Sequence, residues 1–252
     1  MTKIEILKFK LKRSFRSLRY GFFYTGFKKF NPPKKILTNL RYLHVNIPHD
    51  QASYQSFIEI FLDDTYQLRR ANDLPRQSVI VDIGGNIGLF SIYAKSIYKY
   101  SRVYSIEPNH KVLPSLMKNS QKFDFEVFPV AICKTHQKVK VLDGIESHLM
   151  ARTLDDPSGD QTGVPFESIF ENVGGKIDFL KMDGEGAEWS VFESDIDWSR
   201  VRYISFEYHE FGKGKKLADA LDNLKNKGFE VIDIQSYSNY GMIFAKNRDF
   251  CE

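Results

Sequence analysis

Apolar positions along this chain follow two periodicities, and the change from one to the other divides it. Near the N-terminus Ile4, Leu7, Leu11, Phe15, Leu18 and Phe22 recur every three or four residues. That spacing draws one stripe along a helix. Thr2 and Glu5 form a capping box at its start, and Tyr20-Gly21 marks its end. From Ser78 onward, short β-rich runs alternate with helical patterns. Strands are expected over 78–82, 102–106, 125–130, 177–181, 203–207, 230–234 and 240–245. Helices are expected over 89–98, 111–122 and 187–193, and along Leu217, Leu221 and Leu224 until Gly228 stops the last one.

Strand and helix alternating five times predict an α/β fold, with a mainly parallel seven-stranded sheet and helices on both faces. The two consecutive strands at the end predict an antiparallel strand near the C-terminus. The connection over 132–176 is long for a compact domain and reads as a substrate-side insertion. Within it, 138–142 suits an added strand and Asp155-Asp156-Pro157-Ser158-Gly159 a turn. The expected organisation is a basic helical arm over 1–55 and a catalytic domain over 56–252.

Composition changes the picture in one respect. Hydrophobic residues at 42% and charged residues at 27% are globular values. Two cysteines, Cys133 and Cys251, build no disulfide framework, so a reducing, cytoplasmic setting is expected. No apolar run reaches the roughly 18–20 residues of a membrane span. The net charge is +4, yet residues 1–41 hold twelve Lys or Arg against one acid, Glu5. The arm is therefore +11 and the remaining 211 residues sum to −7. This distribution disfavours a uniformly cationic nucleic-acid binder. Three uses of the arm stay open: its stripe packs on the protein's own core or a second subunit, it lies on an anionic membrane at the inner face, or it meets an anionic polymer.

The chemistry is concentrated at strand ends. Val79-Ile80-Val81-Asp82-Ile83-Gly84-Gly85-Asn86-Ile87-Gly88 joins the first strand of the alternating region to its helix. The glycines permit a sharp turn and close approach of a ligand. Their spacing departs from the dinucleotide fingerprint G-x-G-x-x-G. Asp82 would repel a pyrophosphate but attract a sulfonium and an α-ammonium group, as in S-adenosylmethionine (SAM). The next strand ends in Ile106-Glu107-Pro108, where an acid can accept both ribose hydroxyls of a nucleoside.

Further on, Lys181-Met182-Asp183-Gly184-Glu185-Gly186-Ala187-Glu188 and Glu207-Tyr208-His209 close two more strands. Neighbouring strand ends in a parallel sheet share one mouth. An aliphatic alcohol attacking a sulfonium methyl needs a base, and imidazole and carboxylate both serve. His209 and then Asp183 are the candidates for it. Glu185 and Glu188 can hold substrate hydroxyls. The same acids suit a divalent ion less well, and no metal ligand is assigned.

Taken together, these strings resemble the FkbM family of SAM-dependent methyltransferases, over about residues 56–246. The Lys-x-Asp-x-Glu-Gly-x-Glu string is the specific part, and Phe57 to Tyr66 resembles the family's lead-in. The resemblance implies O-methylation of a hydroxyl on a glycan sugar or a secondary metabolite. It implies SAM contacts from Asp82, Gly84, Gly85, Asn86, Gly88, Glu107, Pro108, Ala131 and Asp183. It implies a reaction centre of Lys181, Asp183, Glu185, Glu188 and His209. Gly85 stands where the family often has Ala, which reads as a neutral change. Two other readings are weaker: a nicotinamide-dependent oxidoreductase, which Asp82 opposes, and a non-catalytic adaptor. The oligomeric state is left open.

Overall fold

The computed structural model describes residues 3–26, 30–142, 152–184, 186–209, 216–237 and 240–251. Thr2 of the expected capping box, Lys28 and Lys29 of the basic arm, and Glu185 lie outside the described residues.

The chain opens with helix α1 (Lys3–Leu18), a hairpin of β1 (Lys35–Thr38) and β2 (Arg41–His44), and helix α2 (Gln51–Phe57), which runs into a π turn over Ile58–Asp63. The alternating region follows: β3 (Val79–Ile83), α3 (Leu89–Ile97), β4 (Arg102–Ile106), α4 (Leu113–Phe123) and β5 (Glu126–Phe128). Next come β6 (Ala131–Cys133), β7 (Gln137–Leu142), β8 (Arg152–Asp155), β9 (Gln161–Pro165) and α5 (Phe166–Asn172). The chain closes with β10 (Ile177–Met182), α6 (Ala187–Phe192), β11 (Val201–His209), α7 (Leu217–Asn226), β12 (Phe229–Ser236) and β13 (Tyr240–Asn247).

Seven strands form the main sheet in the order β12-β13-β11-β10-β3-β4-β5. From β11 to β5 all neighbours are parallel. β13 is antiparallel to both β11 and β12, so it sits one strand in from the edge. This is the α/β architecture that the alternating pattern predicts.

Successive strand residues feed opposite faces, as the pleat requires. Ile80, Phe179 and Tyr203 enter one core with Phe90, Tyr93 and Leu116 from α3 and α4. Val81, Leu180 and Ile204 enter the other with Phe166, Ile169 and Phe170 of α5, Val191 and Phe192 of α6, and Leu224 of α7. Both faces are covered, which is why these strands read as continuous apolar runs.

Three expectations change. First, the boundary at 55 does not separate an arm from the domain. Tyr20, Tyr24, Ile36 and Val45 are buried in the same core as Phe57, Phe61 and Phe179. Second, the stretch over 132–176 is not one insertion. It holds three strands of a small four-stranded sheet, ordered β6-β9-β7-β8, and then α5, an ordinary crossover helix into β10. The expected turn is present, with Gly159 N–H donating to the Asp156 carbonyl at 2.8 Å.

Third, Leu7, Leu11, Phe15 and Leu18 of the apolar stripe do not pack on the core, although Phe22, just past the helix, does. The helix docks through its polar face. Arg13 makes a two-pronged bond to Asp63 (2.8 and 2.6 Å), and Arg16 Nη1 donates to the Leu62 carbonyl at 2.7 Å. Ser14 Oγ donates to the Tyr24 carbonyl at 2.9 Å, and Tyr24 N–H donates to Ser17 Oγ at 3.0 Å. These bonds satisfy the end of the π turn and hold the chain where it doubles back at Gly21. The physical reason is that Leu62 and Asp63 offer acceptors at a turn end, which guanidinium groups fill better than leucine. Among the described residues no helix is long and apolar enough to cross a membrane.

Candidate active site

The chain order of the sheet reverses between β3 and β10, and open α/β sheets bind ligands at such a point. The two loops that leave these strands touch there. Gly84 adopts φ +74°, and a Cβ on it would overlap the Asp183 carbonyl. Gly85 presses on the Ser105 hydroxyl, so a Cβ there would also overlap. Alanine at 85 is therefore not neutral in this chain, contrary to the sequence-based expectation, because Ser105 on β4 already fills that space.

One cavity of about 900 Å³ opens beside these loops. Gly84, Gly85, Asn86, Glu107, Pro108, Ala131, Lys181, Asp183 and His209 all line it. So do Tyr66, Glu59, Asp63 and Glu207, the tyrosines Tyr237 and Tyr240, and Phe9, Lys12 and Arg13 of α1.

Glu107 lies at the C-terminal end of β4. Its Oε2 accepts Asn86 N–H at 2.9 Å and its Oε1 accepts Asn109 N–H at 2.8 Å. Burial raises its pKa, and those two bonds work against the rise. Each oxygen keeps a further lone pair. Asn86, held at φ +49°, buries a side-chain oxygen that no donor among the described residues reaches. An orphaned acceptor, a carboxylate at the next strand end and a glycine turn fit a nucleoside-bearing cofactor.

The acid ahead of the glycines does different work from that expected. Asp82 is fully buried, and Lys181 lies beside it in register on β10, with Nζ 3.0 Å from Asp82 Oδ1. Ser91 of α3 donates to the other oxygen at 2.8 Å. Asp82 does not line the cavity, and its charge is spent on Lys181. Lys181 also donates to the carbonyls of Ile83 (3.0 Å) and Gly84 (2.8 Å). Burial opposes its charge, but attraction to Asp82 and Asp183 outweighs that and raises its pKa. A lysine with three acceptors and a raised pKa is a clamp on the glycine turn, not a base.

Two other expected site residues move into the framework. Glu188 is buried, and its carboxylate accepts Gly184 N–H at 2.6 Å and Gly186 N–H at 2.8 Å. It shapes the loop after β10 and does not line the cavity, since the loop's own amides reach it first. Gly88 caps α3, and a Cβ there would meet Phe125 and Leu116 rather than a ligand. Glu185 lies outside the described residues.

Asp183 and His209 stay on the cavity wall. Tyr66 donates its hydroxyl to Asp183 Oδ2 at 2.5 Å. Burial, and then the charges of Asp183 and Glu207, push the Tyr66 hydroxyl well above its ordinary pKa, so it stays a donor. His209 Nε2 lies 3.7 Å from Glu207 Oε1, and its ring stacks on Tyr240 at 6.0 Å. Tyr240 in turn stacks on Tyr237 at 4.7 Å. Across the cavity, burial raises the pKa of Glu59, and Asp183 and Asp63 add to the rise. Among the described residues no group of three or more His, Cys, Asp or Glu side chains is placed to hold a metal ion.

The model of the methyltransferase FkbM domain matches residues 82–231, more than half of the chain. The chain belongs to this family. The matched span runs from Asp82 through both strand-end clusters, and the FkbM domain's methyl donor is SAM, which the glycine turn, Asn86 and Glu107 fit. The chain is 26% identical over 227 residues to the 31-O-demethyl-FK506 methyltransferase FkbM of Streptomyces tacrolimicus, covering 75% of this chain and 85% of that protein. It is 27% identical over 236 residues to the antimetabolite synthetase AmbE of Pseudomonas aeruginosa, with 74% of this chain aligned to 11% of that much longer protein. Among solved structures, the magnesium protoporphyrin IX methyltransferase ChlM of Synechocystis with bound S-adenosylhomocysteine (SAH) covers 80% of this chain and 88% of its own. That likeness has a TM-score of 0.46 and 14% identity.

Several lining residues lie outside the strand-end strings that carry the expected chemistry. Tyr237 and Tyr240 flank the last turn, and two aromatics bracketing a turn at a sheet mouth are a readable signal. Tyr66 sits in the lead-in segment, but nothing local marks it as the partner of an aspartate 117 positions away. Phe9, Lys12 and Arg13 belong to the basic N-terminal segment, and only the docking of α1 brings them to the mouth.

Proposed function

We propose that this methyltransferase transfers the methyl group of SAM to a hydroxyl oxygen, on a sugar of a glycan or glycolipid. The observation that carries the reading is the meeting of Asp183, Glu207 and His209 with the His209–Tyr240–Tyr237 stack in one cavity beside the glycine turn. Stacked flat rings offer apolar faces, which complement the C–H faces of a pyranose. The carboxylates around them accept hydrogen bonds from its hydroxyls. With Asp63 paired to Arg13, the carboxylates of Glu59, Asp183 and Glu207 against Lys12 leave the mouth acidic, which favours a neutral polyol over an anionic acceptor.

SAM supplies an electrophilic methyl group when bound. The chain's own residues prepare the acceptor. Glu207, with Oε1 3.7 Å from His209 Nε2, offsets the positive charge that forms when the imidazole takes the hydroxyl proton. Tyr66 holds one oxygen of Asp183, and the carboxylate fixes the acceptor hydroxyl against the loop that Glu188 shapes. A hydroxyl of a secondary metabolite is a second acceptor class. It is favoured by the Streptomyces tacrolimicus relative, whose name describes transfer to an oxygen of 31-O-demethyl-FK506.

The test measures radiolabelled methyl transfer to a panel of glycans, glycolipids and macrolide alcohols, with calorimetry for SAH and NADH in parallel. Asp183→Asn and His209→Ala should each lower turnover by about 10²–10⁴-fold while SAH affinity stays within a few-fold. Tight NADH binding without SAH binding refutes the reading. So does unchanged turnover in both variants.

A further inference from the structure

The stripe that α1 turns outward has no part in the transfer chemistry. Leu7, Leu11, Phe15 and Leu18 are 58%, 50%, 70% and 53% exposed, although they lie on one side of a helix whose other side is firmly docked. A row of large apolar side chains left in water marks an interaction surface. The hairpin of β1 and β2 is held to the end of this helix, with Leu37 N–H donating to the Tyr20 carbonyl at 2.9 Å. Its turn adds Leu40, 95% exposed and held at φ +65°. A leucine in that left-handed conformation, fully in water, has no packing reason to be there.

Charge decides between occupants. Lys8, Lys10, Lys12, Arg19 and Arg41 are exposed around the stripe and the hairpin turn. From residue 6 to residue 41 the sequence holds no acid. A second copy of this face would set those cations against one another, with no carboxylate on the segment to relieve them. A polyphosphate chain would meet the cations but leave the leucines and phenylalanine in water. An anionic bilayer satisfies both: the stripe enters the acyl boundary, and the lysines snorkel to the headgroups.

We infer that α1 and the hairpin turn dock this enzyme on an anionic lipid surface. The same helix contributes Phe9, Lys12 and Arg13 to the cavity wall. Docking therefore holds the cavity within about one helix diameter, ~10 Å, of the headgroups. An acceptor carried on a lipid is then presented to the site without leaving the membrane. The inference rests on the outward face of the arm and stands whether the acceptor is a sugar or another alcohol.

Flotation on a density gradient tests it, with full-length protein and vesicles of phosphatidylcholine alone or with about 30% phosphatidylglycerol. Wild-type protein should float with the anionic vesicles and stay behind with the neutral ones. Lys8→Glu with Arg19→Glu should weaken anionic binding by on the order of fivefold or more per residue changed. Leu11→Glu with Phe15→Glu should abolish it. None of these four residues lines the cavity, so SAH calorimetry and the melting temperature should stay at wild-type values, which separates loss of docking from loss of folding or of the cofactor site. Should a variant prove unfolded, the wild-type comparison of the two vesicle types still decides. Flotation that ignores lipid charge overturns the inference. So does wild-type protein that never floats, or a wild-type dimer in light scattering that Leu11→Glu with Phe15→Glu splits into monomers.

Discussion

Lys181→Met isolates the clamp beneath the glycine turn. The substitution keeps the volume of the stem and removes the cation paired with Asp82, which stays fully buried. Breaking a buried pair from one side costs about 3–5 kcal/mol, because the surviving charge is left without compensation. Ser91 still donates to Asp82 Oδ2, which places the loss in the lower half of that range. For a domain of this size each kcal/mol moves Tm by about 2–4 °C, so the expected fall is roughly 6–16 °C. The carbonyls of Ile83 and Gly84 lose their donor at the same time, so SAH affinity should fall with stability. Combining Lys181→Met with Asp82→Leu removes the stranded charge, and the double variant should melt well above the single one. The assay is calorimetric melting of all four proteins of this double-mutant cycle, with SAH titration of those that fold. A single variant melting within about 2 °C of wild type would refute the reasoning, as would a double variant no more stable than Lys181→Met. Full stability with turnover lost would instead make Lys181 a reacting group.

Three further outcomes follow from the same geometry. Gly85→Ala should lower stability by about 1–3 kcal/mol through overlap with the Ser105 hydroxyl, and adding Ser105→Ala should restore part of the loss in the same melting assay. Burial raises the pKa of Glu188 above its usual 4.5, and like charge from Asp183 adds to this. The folded state therefore binds its proton more readily than the unfolded state. The stability from this group is full below 4.5, and is lost as pH rises through the raised value. Comparing Tm from pH 4.5 to pH 7, Glu188→Gln should lack this component, and parallel pH profiles would contradict the assignment. Arg13→Ala should cost about 1–3 kcal/mol by removing a two-pronged charged bond to Asp63, and should raise the acceptor KM more than the SAH dissociation constant. Equal effects on both would place Arg13 outside the acceptor side.

Period and strand-end chemistry were enough to read the alternating region. Val79–Ile83, Arg102–Ile106 and Ile177–Met182 are strands buried on both faces, so they show as short apolar runs without tertiary information. The antiparallel end could be inferred from two strands with only a turn between them. Helix α5 is absent from the expected elements although Phe166, Ile169, Phe170 and Val173 carry a helical spacing, because the turn residues before it mark the whole stretch as loop. The hairpin at 35–44 leaves no signal in the pattern because its strands are four residues each, too short for alternation to register.

The sequence by itself determined which loops carry the chemistry, since a parallel sheet sends all its strand ends to one side. It located Gly84, Glu107, Asp183 and His209 for that reason. It did not determine which carboxylates stay available to a ligand. Asp82 and Asp183 look alike in sequence, each a carboxylate near a strand's C-terminal end. Only the tertiary structure decides that Asp82 meets Lys181 across two strands while Asp183 meets the tyrosine of a distant turn. The same holds for α1. Its periodicity defines an apolar face, but whether that face turns in or out depends on what the body offers. Here Asp63 and the Leu62 carbonyl bind arginine, and the leucines are left to face outward.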